Sequence, residues 1–205
     1  MPSQKKSLRA AEQDRPDVKA KRESWPQVMA GMDLGRLVFL DESGAKTNMT
    51  RLYGRCFDGQ RLVDTTPHGH WCTTSMISSL RFDGSTAAMA IKGPTDGDVF
   101  LAYVQNVLAP SLRPGDVVVM DNLSSHKTPA VLAAIKAAGA EPRFLPPYSP
   151  DFNPIEKMWA KIKAFLRKAK ARTEETLLKA IADALDTVSL SDAVNWFASC
   201  GYAHS

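Results

Sequence analysis

Residues 116–172 read DVVVMDNLSSHKTPAVLAAIKAAGAEPRFLPPYSPDFNPIEKMWAKIKAFLRKAKAR. The apolar run Val117 to Met120 between two aspartates predicts a short buried strand that ends at Asp121. Thr128 is placed to cap a helix, Pro129 to open its first turn and Gly139 to terminate it behind an alanine-rich body. Pro142 to Leu145 predicts a second strand, so strand, helix and strand make a parallel βαβ unit. Beyond the proline-punctuated loop Pro146 to Pro150, Asn153 and Pro154 open a long amphipathic helix that runs to about Ala171. Its buried stripe is Ile155, Trp159, Ile162, Leu166 and Ala169, repeating at 4, 3, 4 and 3 residues.

Upstream, Leu37 to Asp41 (LVFLD) predicts another buried strand ending in an acid, followed by a loop-rich stretch holding Gly44, Gly54, Gly59 and Pro67. Trp71 to Leu80 and Thr86 to Ile91 predict a hairpin around Asp83 and Gly84. Asp98 to Leu108 has helical spacing and Pro110 ends it. Downstream, two further helices are expected near Thr173 to Thr187 and Ser191 to Ser199. Residues 1–30 are polar, basic and helix-compatible with a break at Trp25-Pro26, and are expected to be a linker or an appended helix outside the core. Residues 31–205 are then the folded domain. The order of elements predicts an α/β fold, a mixed sheet flanked by helices with extra C-terminal helices, compatible with a ribonuclease H-like core.

Composition narrows the class. A chain of 205 residues holds one domain with a proper core, and 44% hydrophobic with 23% charged residues, 12 Gly and 13 Pro excludes disordered, collagen-like and coiled-coil chains. No apolar run approaches the ~20 residues of a membrane helix, and the charged start of the chain lacks a secretory signal, so a cytoplasmic protein is expected. Cys56, Cys72 and Cys200 form no CxxC pair and are expected to be reduced and mostly buried. The net charge of +4 hides its distribution. Between residues 157 and 172, Lys157, Lys161, Lys163, Arg167, Lys168, Lys170 and Arg172 have no acidic residue among them, which points to a polyanion partner.

Asp41 and Asp121 end the two most apolar strands, where open α/β sheets place their ligand sites. If those strands are neighbours, both carboxylates emerge at one sheet edge and can share a divalent ion, which prefers oxygen ligands. Glu156, in the first turn of the long helix and 34 intervening residues beyond Asp121, supplies a third acid. Each has a plainer reading: Asp41 and Asp121 as turn residues, Glu156 as part of a capping box with Asn153. A stripe through Glu156, Ala160, Lys163, Arg167 and Lys170 aligns cations with the third acid, which suits a phosphodiester backbone. His68, His70 and Cys72 alternate as zinc ligands on a strand would, but no fourth ligand is evident and Pro67 and Gly69 favour a turn.

The segments VFLDESG (38–44), VVVMDNLSSHK (117–127) and above all LPPYSPDFNPIEKMWAKIK (145–163) resemble the catalytic domain of bacterial insertion-sequence transposases of the mariner superfamily, in the branch numbered six-thirty. By motif order the resemblance spans about Leu37 to Tyr202. It implies a ribonuclease H-like fold whose Asp, Asp, Glu triad, here Asp41, Asp121 and Glu156, binds two Mg²⁺ or Mn²⁺ ions. It implies DNA cleavage at transposon ends and transfer of the 3′ end into a target, and it matches Asn122 and His126 to residues that orient the ligands or a phosphate. A homodimer becomes plausible from the pairing of two ends. Family members carry a helix-turn-helix region ahead of this domain, so a truncated copy, or a second reading frame completed by an upstream one, is one expectation. A catalytically silent DNA-binding remnant is the competing reading, and a ribonuclease H acting on hybrids is a weaker one.

Overall fold

The computed structural model describes residues 9–51, 53–56 and 61–202; the first eight residues of the N-terminal segment and Gly59 lie outside them. Five strands form one sheet: β1 (Leu37–Lys46), β2 (Thr73–Arg81), β3 (Thr86–Lys92), β4 (Val117–Met120) and β5 (Glu141–Phe144), in the order β3-β2-β1-β4-β5. The β1, β2 and β3 pairings are antiparallel, while β1 with β4 and β4 with β5 are parallel. The predicted mixed sheet is therefore present. β1 is longer than expected: it continues through Gly44 to Lys46, because β2 offers it partners from Val38↔Arg81 to Lys46↔Thr73. Asp41 consequently lies inside β1 and does not end it.

Helices cover both faces. On one side α2 (Gly97–Tyr103, continued by a wider π-type turn over Val104–Leu108) and α3 (Pro129–Ala137) pack on Val38, Leu40, Ile77, Val118 and Met120. On the other, α1 (Pro16–Met29), α4 (Pro154–Ala169), α5 (Glu174–Leu185) and α6 (Leu190–Ser199) pack on Leu37, Phe39, Met76, Leu80 and Val119. The alternation of β1 is thereby explicit, with odd positions facing α4 and even positions facing α2 and α3.

The expected punctuation is largely realised. Thr128 accepts a hydrogen bond from the Val131 amide, Pro129 opens α3, and Gly139 ends it at φ +78°. The Asp83-Gly84 turn closes the β2-β3 hairpin. Gly84 has φ +85°, and a Cβ there would come within 3.0 Å of the Ser189 backbone, so the turn and its approach to α6 both require glycine. In α4, Ile155, Trp159, Ile162 and Leu166 are buried as predicted and Met158 joins them, but Ala169 is exposed, since the helix leaves the sheet before Lys170 turns left-handed at φ 52°.

Two expectations are corrected. The N-terminal segment is not outside the core: α1 runs through Pro26 without a break, and Val18, Trp25 and Met29 are buried. Trp25 Nε1 donates to the Tyr202 hydroxyl at 2.9 Å, and that hydroxyl donates to the Phe152 carbonyl at 2.7 Å. A few large side chains suffice to dock an otherwise polar helix, and its mean composition conceals them. The thiols are not mostly buried either, as Cys56 and Cys72 are exposed and only Cys200 is covered.

Docking of α1 through Trp25 sets an expected outcome. Trp25→Ala removes a side chain that is 5% exposed and should lower the unfolding free energy by about 3–5 kcal/mol, whereas Val28→Ala, at a position 45% exposed on the same helix, should change it by less than about 0.5 kcal/mol. Urea unfolding of both variants checks this.

Candidate active site

The parallel pairing of β1 with β4 covers only Leu37↔Val117, Val38↔Val118 and Phe39↔Val119. Beyond it the two strands part, and the split opens an exposed cleft of about 440 Å³ lined by Asp41, Asp121 and Glu156 together with Asn122, Leu123, Asn153 and the loop from Leu145 to Pro150. The three predicted acids thus come from three elements to one cleft. Asp41 faces the α4 side from within β1, Asp121 follows the last residue of β4, and Glu156 stands in the first turn of α4. Among the described residues, no three His, Cys, Asp or Glu side chains form a closed metal-holding group, so the carboxylates surround the cleft without meeting at a common point.

Their electrostatics differ. Asp41 is 8% exposed; burial, followed by the neighbouring Glu156 charge, pushes its carboxyl up to about 7, against the one hydrogen bond it accepts from the Glu42 amide at 2.8 Å. Glu156 is raised too, by burial and by Asp121, with Lys163 opposing. Asp121 is lowered: burial alone would raise it, but His126, the Leu123 amide and Lys127 outweigh that effect. Three hard oxygen donors lining one cleft, one of them held near neutrality mainly by burial, are a donor set suited to a divalent cation. The plainer reading of Glu156 fails, because Asn153 occupies the position before α4 without a side-chain cap and its Oδ1 is buried without a partner among the described residues.

Asn122 follows Asp121 directly, and His126 lies against it. Asn122 Nδ2 donates to the Leu145 carbonyl at 2.5 Å and its Oδ1 accepts from Lys127 at 2.8 Å, so its amide staples the end of β4 to the end of β5. His126 is wholly buried, stacked on Phe100 with ring centres 4.1 Å apart. Its Nδ1 lies 2.7 Å from Asp121 Oδ1, an ion-pair contact not aligned as a hydrogen bond, and its Nε2 lies 3.4 Å from Glu42 Oε1. Burial alone would lower the imidazole pKa, yet the two carboxylates raise it to about 9.

Of the basic residues, the structure divides the predicted seven. Lys161 donates to the Thr187 carbonyl and pairs with Asp192, Lys170 pairs with Asp64, and Arg172 donates to the Thr47 and Met49 carbonyls. Lys157, Lys163, Arg167 and Lys168 have no hydrogen bond or ion pair among the described residues. At 100° per residue Lys163 and Arg167 fall within about 20° of Glu156 around the axis of α4, which is the stripe the sequence predicted. His68, His70 and Cys72 are exposed in irregular chain ahead of β2 and form no metal-holding group among the described residues.

Two groups were missed. Glu42 would have been found had the strand been read past Asp41, since the next residue in a strand faces the opposite side. Arg22 of α1 carries no local signal at all. Its guanidinium binds Asp151 at 2.9 and 2.8 Å and Ser149 Oγ at 2.6 Å and lies 4.8 Å from the centre of the Phe152 ring, while Gln13 donates to the Tyr148 carbonyl at 2.6 Å. These contacts hold the loop that delivers Glu156, including Tyr148 in the left-handed region at φ 55°.

Comparison with known proteins places the fold and the family. The family model described as DDE superfamily endonuclease matches residues 36–178. No curated protein matches the chain by sequence. Among solved structures, a Mos1 transposase paired-end complex with left transposon end is similar at TM-score 0.78 and 16% identity, covering 96% of this chain and 62% of that one. The Mos1 strand transfer complex is similar at TM-score 0.70 and 18% identity, covering 98% and 63%. A Mos1 transposase catalytic domain with raltegravir and Mg is similar at TM-score 0.61 and 15% identity, covering 97% and 100%. The chain thus spans less than two thirds of the first two relatives' length, and the likeness confirms the ribonuclease H-like fold.

The raised Asp41 carboxyl sets the sign of a pH effect. An acid whose folded pKa lies above its unfolded value stabilises the fold below about pH 4 and loses that contribution as pH rises through 7, here at most about 4 kcal/mol. In metal-free buffer Asp41→Asn should therefore be more stable than wild type at pH 8, with the difference shrinking towards pH 4. Denaturant unfolding of the two proteins across that range checks it, and a constant difference would contradict it.

Proposed function

The chain belongs to the DDE superfamily endonucleases, and from that premise we propose that it is the catalytic domain of a DNA transposase, which hydrolyses phosphodiesters at transposon ends and transfers the 3′ end into target DNA. One observation carries the reading: Asp41, Asp121 and Glu156, from three separate elements, line one cleft, where burial and then the Glu156 charge lift Asp41 towards neutrality. These three would hold two Mg²⁺ or Mn²⁺ ions, which when bound activate the attacking oxygen and stabilise the leaving one. The solved Mos1 complexes with Mg and with Mn support that choice of metal.

The chain's own residues supply the rest. Asp121 is fixed by the Leu123 amide and His126, Asn122 ties the strand end beneath it, and Arg22 holds the loop before Glu156. Lys157, Lys163, Arg167 and Lys168 offer charge to the DNA backbone along α4. Residues 31–205 carry the acids of the catalytic unit, and α1, within residues 1–30, packs into the same core. The PPYSPDFNPIE block supports placement in the bacterial insertion-sequence branch numbered six-thirty. DNA is the partner, a homodimer would bring two ends together, and an upstream helix-turn-helix region would supply recognition of the ends. Such an enzyme would work in the cytoplasm beside the nucleoid; no helix among the described residues is long and apolar enough to cross a membrane.

Nicking of supercoiled plasmid by the purified chain tests the reading. Nicking should require Mg²⁺ or Mn²⁺, vanish with EDTA, and fall at least about 100-fold in Asp121→Ala, since a lost metal ligand forfeits several kcal/mol of transition-state stabilisation. Equal behaviour of the two proteins, both folded and both binding DNA, would instead favour a catalytically silent DNA-binding remnant.

The division of the basic residues gives a second expected outcome. Arg167→Ala should weaken non-specific DNA binding and reduce the slope of log affinity against log salt by about 1, while Lys161→Ala should lower thermal stability and leave that slope unchanged. Fluorescence anisotropy over a salt series, with melting curves, separates the two.

A further inference from the structure

Alternation in β1 puts neighbouring carboxylates to different uses. Asp41 faces the α4 side and lines the cleft, while Glu42 faces the α2 and α3 side, where Leu40 also packs. On that side the wholly buried His126 lies between two acids, one within β1 and one just past β4: Nε2 is 3.4 Å from Glu42 Oε1 and Nδ1 is 2.7 Å from Asp121 Oδ1. Phe100, stacked 4.1 Å away, fixes the plane of the ring. On Asp121, both contacts converge on one oxygen, because the Leu123 amide also donates to Oδ1 at 3.0 Å. Oδ2 remains as the oxygen available to a ligand.

Resting on the reading of the cleft as a divalent-cation site, we propose that Glu42 is a positioning residue that, through His126, sets the orientation of the Asp121 carboxylate for cation binding. Glu42 does not line the cleft and does not touch the cation. It anchors the far side of the imidazole, so that the ring cannot swing away from Asp121 without leaving a buried N–H unpaired. Phe100 restrains tilt but not rotation within the ring plane, and Glu42 supplies that missing restraint. Loss of such outer partners of a metal ligand weakens metal affinity by about 10- to 100-fold. A role in packing alone would lower stability and leave the affinity of the folded protein unchanged.

Titration with Mn²⁺ alone, followed by electron paramagnetic resonance, decides between these without any DNA or turnover. The wild type, Glu42→Ala, Glu42→Gln and Asp121→Ala proteins are compared, with Ile135→Ala, a fully buried position near the C-terminal end of α3 that does not line the cleft, as a destabilised control and circular dichroism as the check on folding. Glu42→Ala should bind Mn²⁺ at least about tenfold more weakly than wild type, Glu42→Gln should fall between them because its amide oxygen still accepts from the ring, and Ile135→Ala should melt earlier but bind normally. If Glu42→Ala does not fold, a Glu42→Gln affinity equal to wild type overturns the proposal and a reduced one supports it. Unchanged affinity in a folded Glu42→Ala, with binding lost in Asp121→Ala, would overturn the positioning role alone. A wild-type protein that binds no Mn²⁺ would overturn the reading of the cleft and the positioning role with it.

Discussion

The parallel pairing of β1 with β4 stops at Phe39 opposite Val119, while β1 goes on bonding to β2 as far as Lys46. A strand held on one edge and released on the other creates a crevice at the carboxyl ends of the parallel strands, the position where open α/β sheets put ligands. Asp41 is two residues past the last β1-β4 pair and Asp121 is two residues past it on the other strand. Equal offsets from one branch point bring both acids to the same crevice. Neither aspartate needs a special backbone to get there.

Gathering like charges there costs stability, and the rest of the fold offsets it away from the cleft. At the opposite end of the sheet Arg81, closing β2, pairs with Asp116, just ahead of β4, with both side chains nearly excluded from solvent. The same guanidinium donates to the Ser111 carbonyl at 2.9 Å, and Asp116 accepts from the Arg113 amide at 2.7 Å, so the buried pair has its hydrogen bonds satisfied. That cluster clamps β2 and β4 on either side of β1 where all three are still paired. One end of the sheet is therefore charge-matched and closed, and the other is charge-mismatched and open. Opposite-charge pairing at one end gives the rigidity that like-charge crowding at the other requires.

The sheet, its mixed polarity, α3 with both its punctuating residues, and α4 with its amphipathic face were legible because each rests on local chemistry: period-two or period-3.6 patterning, Thr128 and Pro129 before a helix, Gly139 after it. The gathering of Asp41, Asp121 and Glu156 was legible because strand ends and a short proline-rich loop constrain where those residues can go. The burial of Trp25 was not legible, since a polar helix shows its docking face only when the surface it meets is known. Glu42 was hidden by ending β1 at the acid, a boundary set by β2 and not by the residues of β1 themselves. The seven cations between residues 157 and 172 look equivalent in sequence. Lys161, Lys170 and Arg172 are distinguished from the others by Asp192, Asp64 and the Thr47 and Met49 carbonyls, all remote along the chain.

Glu156 is the acid with the weakest covalent tether to the sheet, because it arrives on α4 after a loop that bonds to its surroundings mainly through carbonyls and prolines. Pro146, Pro147 and Pro150 lack amide donors, so that loop cannot be pinned by backbone ladders. Side chains from elsewhere must hold it: Asn122 grips the Leu145 carbonyl at its start, and Arg22 grips Ser149 and Asp151 near its end. The Arg22 contact lowers the pKa of Asp151, the sign expected of an ion pair that favours the charged acid. The position of the third acid therefore depends on α1, a helix more than a hundred residues earlier in the chain, and the core contact made by Trp25 becomes a constraint on the geometry of the cleft.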